Sequence, residues 1–469
     1  MCPADNFSAM HSPDISSAAG APAGFCTLLR LAWPVIVSRS TQVLVGLADA
    51  LMVAHLGEAA LAATTAGALN SFAFFIFPIG IVFIVSSFSS QLTGRGDRSG
   101  ARRFGWYGLI LAGLAQLLVL GLVPFLGRII GLLEYEPAVA GAMTTYAAIR
   151  LISTGAAVGI EALGNYYSGT GNTSLQMKFN LFAMVLNIGL NWLLIDGRMG
   201  CPAMGVAGAA WASTISTGAA FLGFLAVFLR QGRGLSWPAL QRREFFRVIR
   251  FGIPSGFNWS FEFFAYIAFV NIVVGGLGTV TLAAFMAVMQ LNSFAFMPAF
   301  GIGSAGAILT GQAIGRGDKD AVPDILRITF LISAAWMGLL GLLYLTSPRL
   351  ILSPFVPEGA GSGPFLEIGV KLLLLSSLWQ LFDAAGITIG ETLRAAGDTA
   401  YAMWTRGILA WLIFLPGSWL TVHCGGGEFA ATLWLLIYLG LLALVLFLRF
   451  RSGAWRRIEL VGGHEVPLE

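Results

Sequence analysis

Charged side chains are scarce: Asp, Glu, Lys and Arg make up 11% of the 469 residues, against about 25% in soluble chains. At roughly 150 residues per domain this length would give about three soluble domains, and so little charge cannot cover their surfaces. Cysteine is equally sparse. Cys2, Cys26, Cys201 and Cys424 lie far apart without a CxxC pair, so their spacing suggests neither a metal site nor a disulfide framework. The polar first 24 residues have no basic stretch before an apolar core, which excludes a secretory signal and leaves the first apolar helix as the insertion signal. The four histidines, His11, His55, His423 and His464, fall in tails or near the outer surface, away from any nucleophile or metal cluster, so an enzyme is not indicated. No long loop or appended domain offers itself to a soluble partner.

What the chain has is apolar: 57% hydrophobic residues with 35 Phe, 13 Trp and 59 Gly, at a mean hydropathy of +0.80. Most of such a surface faces hydrocarbon, with helices packed through small residues. The fold class is therefore an all-α integral membrane protein. A formal charge of +4 fits loop bias rather than nucleic-acid binding. Apolar runs of bilayer length recur about twelve times, near 31–54, 62–90, 104–127, 139–166, 176–196, 204–229, 251–275, 280–311, 325–347, 365–392, 402–423 and 429–449.

Basic residues orient the spans, since cytoplasmic loops retain them. Arg95, Arg98, Arg102 and Arg103 share one loop, Arg230 to Arg250 surround the central linker, and Arg316, Lys319 and Arg327 mark a third; Arg449, Arg451, Arg456 and Arg457 follow the last span. The alternate connections hold Arg128, Arg198, Arg349 and Lys371 against Glu134, Glu136, Asp196, Glu358 and Glu428. Both termini and the linker are accordingly placed in the cytoplasm. The expected organisation is a polar cytoplasmic tail (1–24), an N-terminal six-helix bundle (25–230), a cytoplasmic linker (231–250), a C-terminal six-helix bundle (251–450) and a cytoplasmic tail (451–469).

The two halves repeat each other. Pro34 matches Pro254, Leu56-Gly57 matches Leu277-Gly278, and Leu69-Asn70-Ser71-Phe72-Ala73-Phe74 recurs letter for letter at Leu291 to Phe296. Gly94-Arg95-Gly96-Asp97 returns as Gly315-Arg316-Gly317-Asp318, and Gly171-Asn172-Thr173 as Gly397-Asp398-Thr399. The Gly-Arg-Gly-Asp elements lack the lysine and spacing of a phosphate-binding loop, so ATP use is not indicated. Two like-signed halves imply parallel repeats, an arrangement typical of transporters, rather than a duplicated inert scaffold.

Acids inside spans cost about 3 kcal/mol each and need a reason. Asp49 lies deep in the first span, roughly 27 Å from its cytoplasmic entry, while Glu262 and Asp383 sit near mid-depth of the seventh and tenth. Glu161 and Glu391 lie nearer the cytoplasmic ends. Asp49, Glu262 and Asp383 are read as binding a coupling cation and facing cationic substrate; the alternative is a static pair with an intramembrane arginine. Arg39 is about 15 Å from Asp49 along the same helix, which leaves Arg150 as the structural partner. Asn187 and Asn191, at i and i+4 with Asn180 before them, offer oxygens to complete cation coordination beside Asp49, or else glue helices together. Phe261, Phe263, Phe264, Tyr266 and Phe269 around Glu262, followed by Phe294, Phe296 and Met297, form either a binding wall or plain packing surface.

Residues 47 to 57, Leu-Ala-Asp-Ala-Leu-Met-Val-Ala-His-Leu-Gly, with Leu61-Ala62-Ala63, resemble the opening spans of the multidrug and toxic compound extrusion (MATE) family. Gly171-Asn172-Thr173, Asn187 to Asn191, Gly205 to Ala210 and Gly397-Asp398-Thr399 extend the resemblance over essentially the whole chain after the tail. It implies two six-helix bundles forming a V that alternate access across the membrane and exchange H+ or Na+ for an expelled, often cationic, organic compound. Asp49 resembles the family's first-helix acid, Asn187 and Asn191 its fifth-helix polar pair, and Glu262 and Asp383 its seventh- and tenth-helix acids, a set similar to the bacterial NorM-like branch. Arg39 is not part of that pattern. Expected, then, is a monomeric antiporter of the bacterial inner membrane, with Na+ or H+ as coupling ion at Asp49, Asn187 and Asn191 or at Glu262 and Asp383. It needs no cofactor, and small organic cations and membrane lipid are its partners. A flippase for lipid-linked precursors is the alternative, disfavoured because acids rather than bases dominate the spans.

Overall fold

The computed structural model describes residues 21–131, 136–232, 240–356 and 362–462. Most of the N-terminal tail, the middle of the linker, the end of the C-terminal tail, and Cys2, His11, Glu134, Arg233, Glu358 and His464 lie outside them. Every regular element among the described residues is helical. This follows from the hydropathy: in hydrocarbon a backbone must satisfy its own N–H and C=O groups, and a continuous helix does so within one segment. Among the described residues eleven helices are long and apolar enough to cross a membrane, or twelve when a bent pair is taken as one span. They are α1 (Gly24–Leu56), α2 (Glu58–Gly94), α3 (Arg98–Gly131), α4 (Val139–Leu151 with Thr154–Gly169), α5 (Thr173–Leu194) and α6 (Gly205–Arg230). There follow α7 (Arg242–Leu277), α8 (Thr279–Gly315), α9 (Lys319–Thr346), α10 (Ser362–Ala396), α11 (Thr399–His423) and α12 (Glu428–Arg451).

The repeat is visible in backbone conformation. Gly96 and Gly317 both close a helix with positive φ, at +81° and +87°, a region that only glycine enters without strain. The aspartate that follows each one caps the next helix: Asp97 Oδ1 accepts from Gly100 N at 2.7 Å, and Asp318 Oδ1 accepts from Ala321 N at 3.2 Å. The Gly-Arg-Gly-Asp elements are thus helix-stop, helix-start turns.

The chain divides into two compact units, Val37–Ser260 and the segment up to Ile36 together with Phe261 onward. The division falls inside α1 and α7. In the first unit the start of α7 is held by Glu244, which pairs with Arg103 at 2.8 Å and accepts from the Tyr107 hydroxyl at 2.7 Å. Higher up, α7 crosses α2 where a Cβ on Gly80 would lie 2.8 Å from Gly256 Cα. In the second unit the start of α1 packs Leu28, Leu31 and Ala32 against Ile302, Ala305 and Ile308 of α8. There a Cβ on Gly301 would lie 2.6 Å from Ile36 Cγ1. Both crossings rely on small residues that let backbones approach, the usual means of helix association in lipid.

The fourth span, expected to be continuous, is bent by 48° at Ile152–Ser153. The freed backbone groups are met from α3: Gln116 Nε2 donates to Leu151 O at 3.1 Å, and Gln116 Oε1 accepts from Gly155 N at 2.7 Å. Cys26, to which spacing assigned no role, is disulfide-bonded; Cys201 and Cys424 are free thiols.

Replacing Gln116 with Leu should leave the Gly155 N–H unmet inside a span and destabilise the protein by about 1–3 kcal/mol. Thermal unfolding of the purified variant in detergent measures this, and an unchanged midpoint would show that the break is satisfied by other means.

Candidate functional site

In the first unit, α5 carries Gln176, Asn180, Asn187 and Asn191, all buried. Their spacings of four, seven and four place them on one helix face. Each amide meets a polar group on a neighbouring helix. Gln176 Nε2 donates to Glu161 Oε2 at 3.4 Å, Asn180 Nδ2 to Ser38 Oγ at 2.7 Å, Asn187 Nδ2 to Ser213 Oγ at 2.9 Å and Asn191 Nδ2 to Asp49 Oδ1 at 2.5 Å. A polar seam therefore runs along α5.

At its deep end stands Asp49, 6% exposed. Its second oxygen accepts from the Ser213 hydroxyl at 3.0 Å, and Asn191 Nδ2 also reaches Asn187 Oδ1 at 3.2 Å. Asp49, Asn187 and Asn191 are thus brought together as the sequence suggested, with Ser213 of α6 as a fourth member. A lone serine in a helix carries no signal that would have singled it out. Asn191 turns its nitrogen to the acid and Asn187 its nitrogen to Ser213, and one oxygen, Asn191 Oδ1, is buried with no hydrogen-bond partner. Arg150 acts on Asp49 through its charge only; its guanidinium donates to Ser153 Oγ at 3.4 Å and lies over the Phe75 ring. The bonded partners of this carboxylate are all neutral.

At the other end of the seam, Arg39 has the account that sequence alone did not supply. It donates to both oxygens of Glu161, at 2.9 Å and 3.0 Å, and Gln42 Nε2 adds a third bond at 3.0 Å. The fork geometry of arginine suits a bidentate carboxylate pair, and the amides supply the remaining bonds that a buried pair requires.

The second unit arranges its acids differently. Glu262 of α7 forms an ion pair with Arg406 of α11. Half-buried Asp383 of α10 lies within electrostatic reach of both, as does Tyr438 of α12, whose buried hydroxyl has no hydrogen-bond partner. Arg406 was missing from the sequence reading although its signal was present, an arginine four residues inside the eleventh span. Of the aromatic stripe, Phe269 is fully buried and packs within the core, while Phe264 and Phe294 are exposed. The stripe is therefore part core and part surface. Nearer the C-terminal end of α10, Glu391 pairs with Arg394.

A family model described as MatE matches residues 34–193 and 254–420, most of the chain and both halves of the repeat. The chain belongs to the MatE family. Among relatives of this MatE protein are two named "Probable multidrug resistance protein NorM". The one from Pseudomonas putida is 28% identical over 94% of this chain and 96% of its own; the one from Mesorhizobium japonicum is 28% identical over 85% and 87%. The fold matches a solved outward-facing multidrug resistance MATE family transporter of the MOP superfamily at a TM-score of 0.82 and 19% identity, over 93% of this chain and 97% of that one. It also matches a MOP superfamily transporter from Pyrococcus furiosus, described as having a binding pocket of reversed polarity, at 0.84 and 19% over the same shares.

Within this MatE fold the two ends of the α5 seam differ in kind. The Arg39–Glu161 end is self-neutralised, whereas the Asp49 carboxylate is bonded only to neutral groups and feels the Arg150 charge without a bond to it. Arg39→Met should strand Glu161 and destabilise the protein by about 3–5 kcal/mol, and adding Glu161→Gln should recover most of that loss. Thermal unfolding of the single and double variants decides it; equal loss in both would mean that Arg39 acts through packing instead.

Proposed function

We propose that this protein is a secondary antiporter of the bacterial inner membrane, with cytoplasmic termini, that exports organic cations in exchange for Na+ or H+ by alternating access. It is not an enzyme. The observation that carries the proposal is Asp49: a carboxylate in a membrane span, bonded only to neutral groups, with a buried amide oxygen beside it left without a partner. In hydrocarbon such a charge needs compensation, and a proton or a small hard cation supplies it. The oxygens at hand, one carboxylate with amide and hydroxyl neighbours, suit a hard monovalent cation. Among the described residues no three of His, Cys, Asp and Glu converge into a cage of higher charge.

Entry of the ion from outside neutralises the acid, an organic cation held by the same negative field loses its counter-charge, and the substrate leaves outward. A potential of 100 mV contributes about 2.3 kcal/mol per net charge moved inward, so a one-for-one exchange for a monovalent organic cation is driven by the ion's concentration gradient, and the potential adds to it only where more charge enters than leaves. The names of the relatives support drugs as substrates. The arginine-rich connections on one side of the spans support the orientation, and the membrane-spanning helices make lipid the surrounding partner. An apolar outer surface solvated by lipid provides no signal for assembly, consistent with a monomer.

The experiment is cationic-dye efflux from vesicles under Na+ and pH gradients imposed one at a time. One gradient alone should stimulate efflux, and Asp49→Asn should reduce the stimulated rate by about tenfold or more, ~1.4 kcal/mol of coupling. If Asp49→Asn exports at the parent rate with unchanged ion dependence, Asp49 is not the coupling site. No efflux under either gradient would refute the antiporter.

A further inference from the structure

In the second unit two acids, Glu262 and Asp383, flank Arg406, and a mobile ion would find one of them already taken. Arg406 and Glu262 meet because their helices are fastened together at that level. Gly407, the residue after the arginine, lies so close to the Phe261 ring that a Cβ there would be 3.0 Å from its Cδ2. One turn on, Trp411 Nε1 donates to the Phe261 carbonyl at 3.2 Å. Beyond the pair both helices pass into π-helical turns, Phe269–Val274 in α7 and Leu409–Phe414 in α11, and these pack with the Phe269 and Phe414 rings 4.8 Å apart. The ion pair is therefore placed by packing on both sides rather than by one long side chain reaching across. The Arg406 side chain is 15% exposed, its Nε is buried without a partner, and a guanidinium has no lone pair to offer a cation.

We infer that Arg406 is a tethered cation that takes the place of a mobile ion at Glu262, so that the second unit binds no coupling ion and Asp383 remains its one acid open to substrate. This rests on the antiport reading for its meaning, but its test does not depend on transport. The contrast with the first unit carries the argument. Asp49 is bonded to neutral groups alone, while the carboxylate of Glu262 is neutralised from within the chain, and any cation arriving there meets a fixed positive charge. Two acids and one arginine leave a single net negative charge, enough to attract one organic cation.

The test is ion binding by the purified protein, followed with radiolabelled sodium and, separately, with a pH indicator for protons taken up. Arg406→Met should add one bound-ion equivalent to the parent count and keep it in an Asp49→Asn background, and that equivalent should vanish when Glu262→Gln is added. Glu262→Gln by itself should leave the bound-ion count of the parent unchanged, a measurement that still decides the matter if Arg406→Met fails to fold. The inference is overturned if Arg406→Met gains no equivalent of either ion, or if Glu262→Gln alone removes one. Failure of gradient-driven efflux with these binding results intact would refute the antiporter while leaving the role of Arg406 standing.

Discussion

A carboxylate inside hydrocarbon must be neutralised, hydrogen-bonded or paired, and the rest of the polar architecture follows from how each intramembrane acid meets that demand. Glu161 meets it with a bidentate arginine and two amides. Asp49 meets it with an amide and a hydroxyl and no bonded cation. The difference decides which of them is chemically available. A paired acid keeps its charge and its neighbours, whereas an acid balanced by dipoles responds to a proton or a cation. Because α5 supplies amides to both, one helix face links the ion-paired end of the seam to the end bonded only to neutral groups.

The apolar framework holds those polar groups to their geometry through close helix crossings rather than through a hydrophobic drive, since lipid is as apolar as leucine. Glycines at the α2/α7 and α1/α8 crossings bring backbones together where any side chain would intrude. A second device is the use of side-chain amides where helices break: Gln116 fills the gap in α4 with one acceptor and one donor, meeting the Gly155 N–H and the Leu151 carbonyl. The break matters to the site because α4 carries Glu161 beyond it, and the direction of that half-helix sets where the carboxylate meets Arg39.

Much of this was legible in the amino acids. Apolar runs gave the helices, the doubled turns gave the repeat, and the cost of burying charge picked out Asp49, Glu262 and Asp383. Helix periodicity placed Asn187 and Asn191 on one face, and the structure sets both at Asp49. What was not legible depends on contacts between helices distant in the chain. Ser213 is one of many serines until α6 lies beside α1, and Arg39 has no visible purpose until α4 brings up Glu161. The bend in α4 was hidden because no proline marks it, and the glutamine that permits it belongs to another helix. Arg406 was different: the rule that flags acids within spans applies equally to bases, and the arginine was open to the same reasoning.

Duplication supplied two copies of a scaffold, and the copies agree where backbone geometry is concerned. Gly57 and Gly278 adopt φ of +107° and +104°, and Gly171 and Gly397 adopt +91° and +90°. Side-chain chemistry has diverged on that common frame. The identical Leu-Asn-Ser-Phe-Ala-Phe strings already show it: Asn292 accepts from Gln380 at 2.6 Å, whereas Asn70 reaches only the sulfur of Met143 at 3.4 Å. Turns are constrained by φ and tolerate few residues, so they persist; an interhelical contact needs only a matching pair, so it drifts. The same freedom separates the acidic sites. A carboxylate bonded to neutral dipoles draws its counter-charge from outside the protein, and one facing an arginine carries its own. Two halves with matching turns therefore need not do matching work, because the property that makes an acid responsive lies in its partners and not in the fold that presents it.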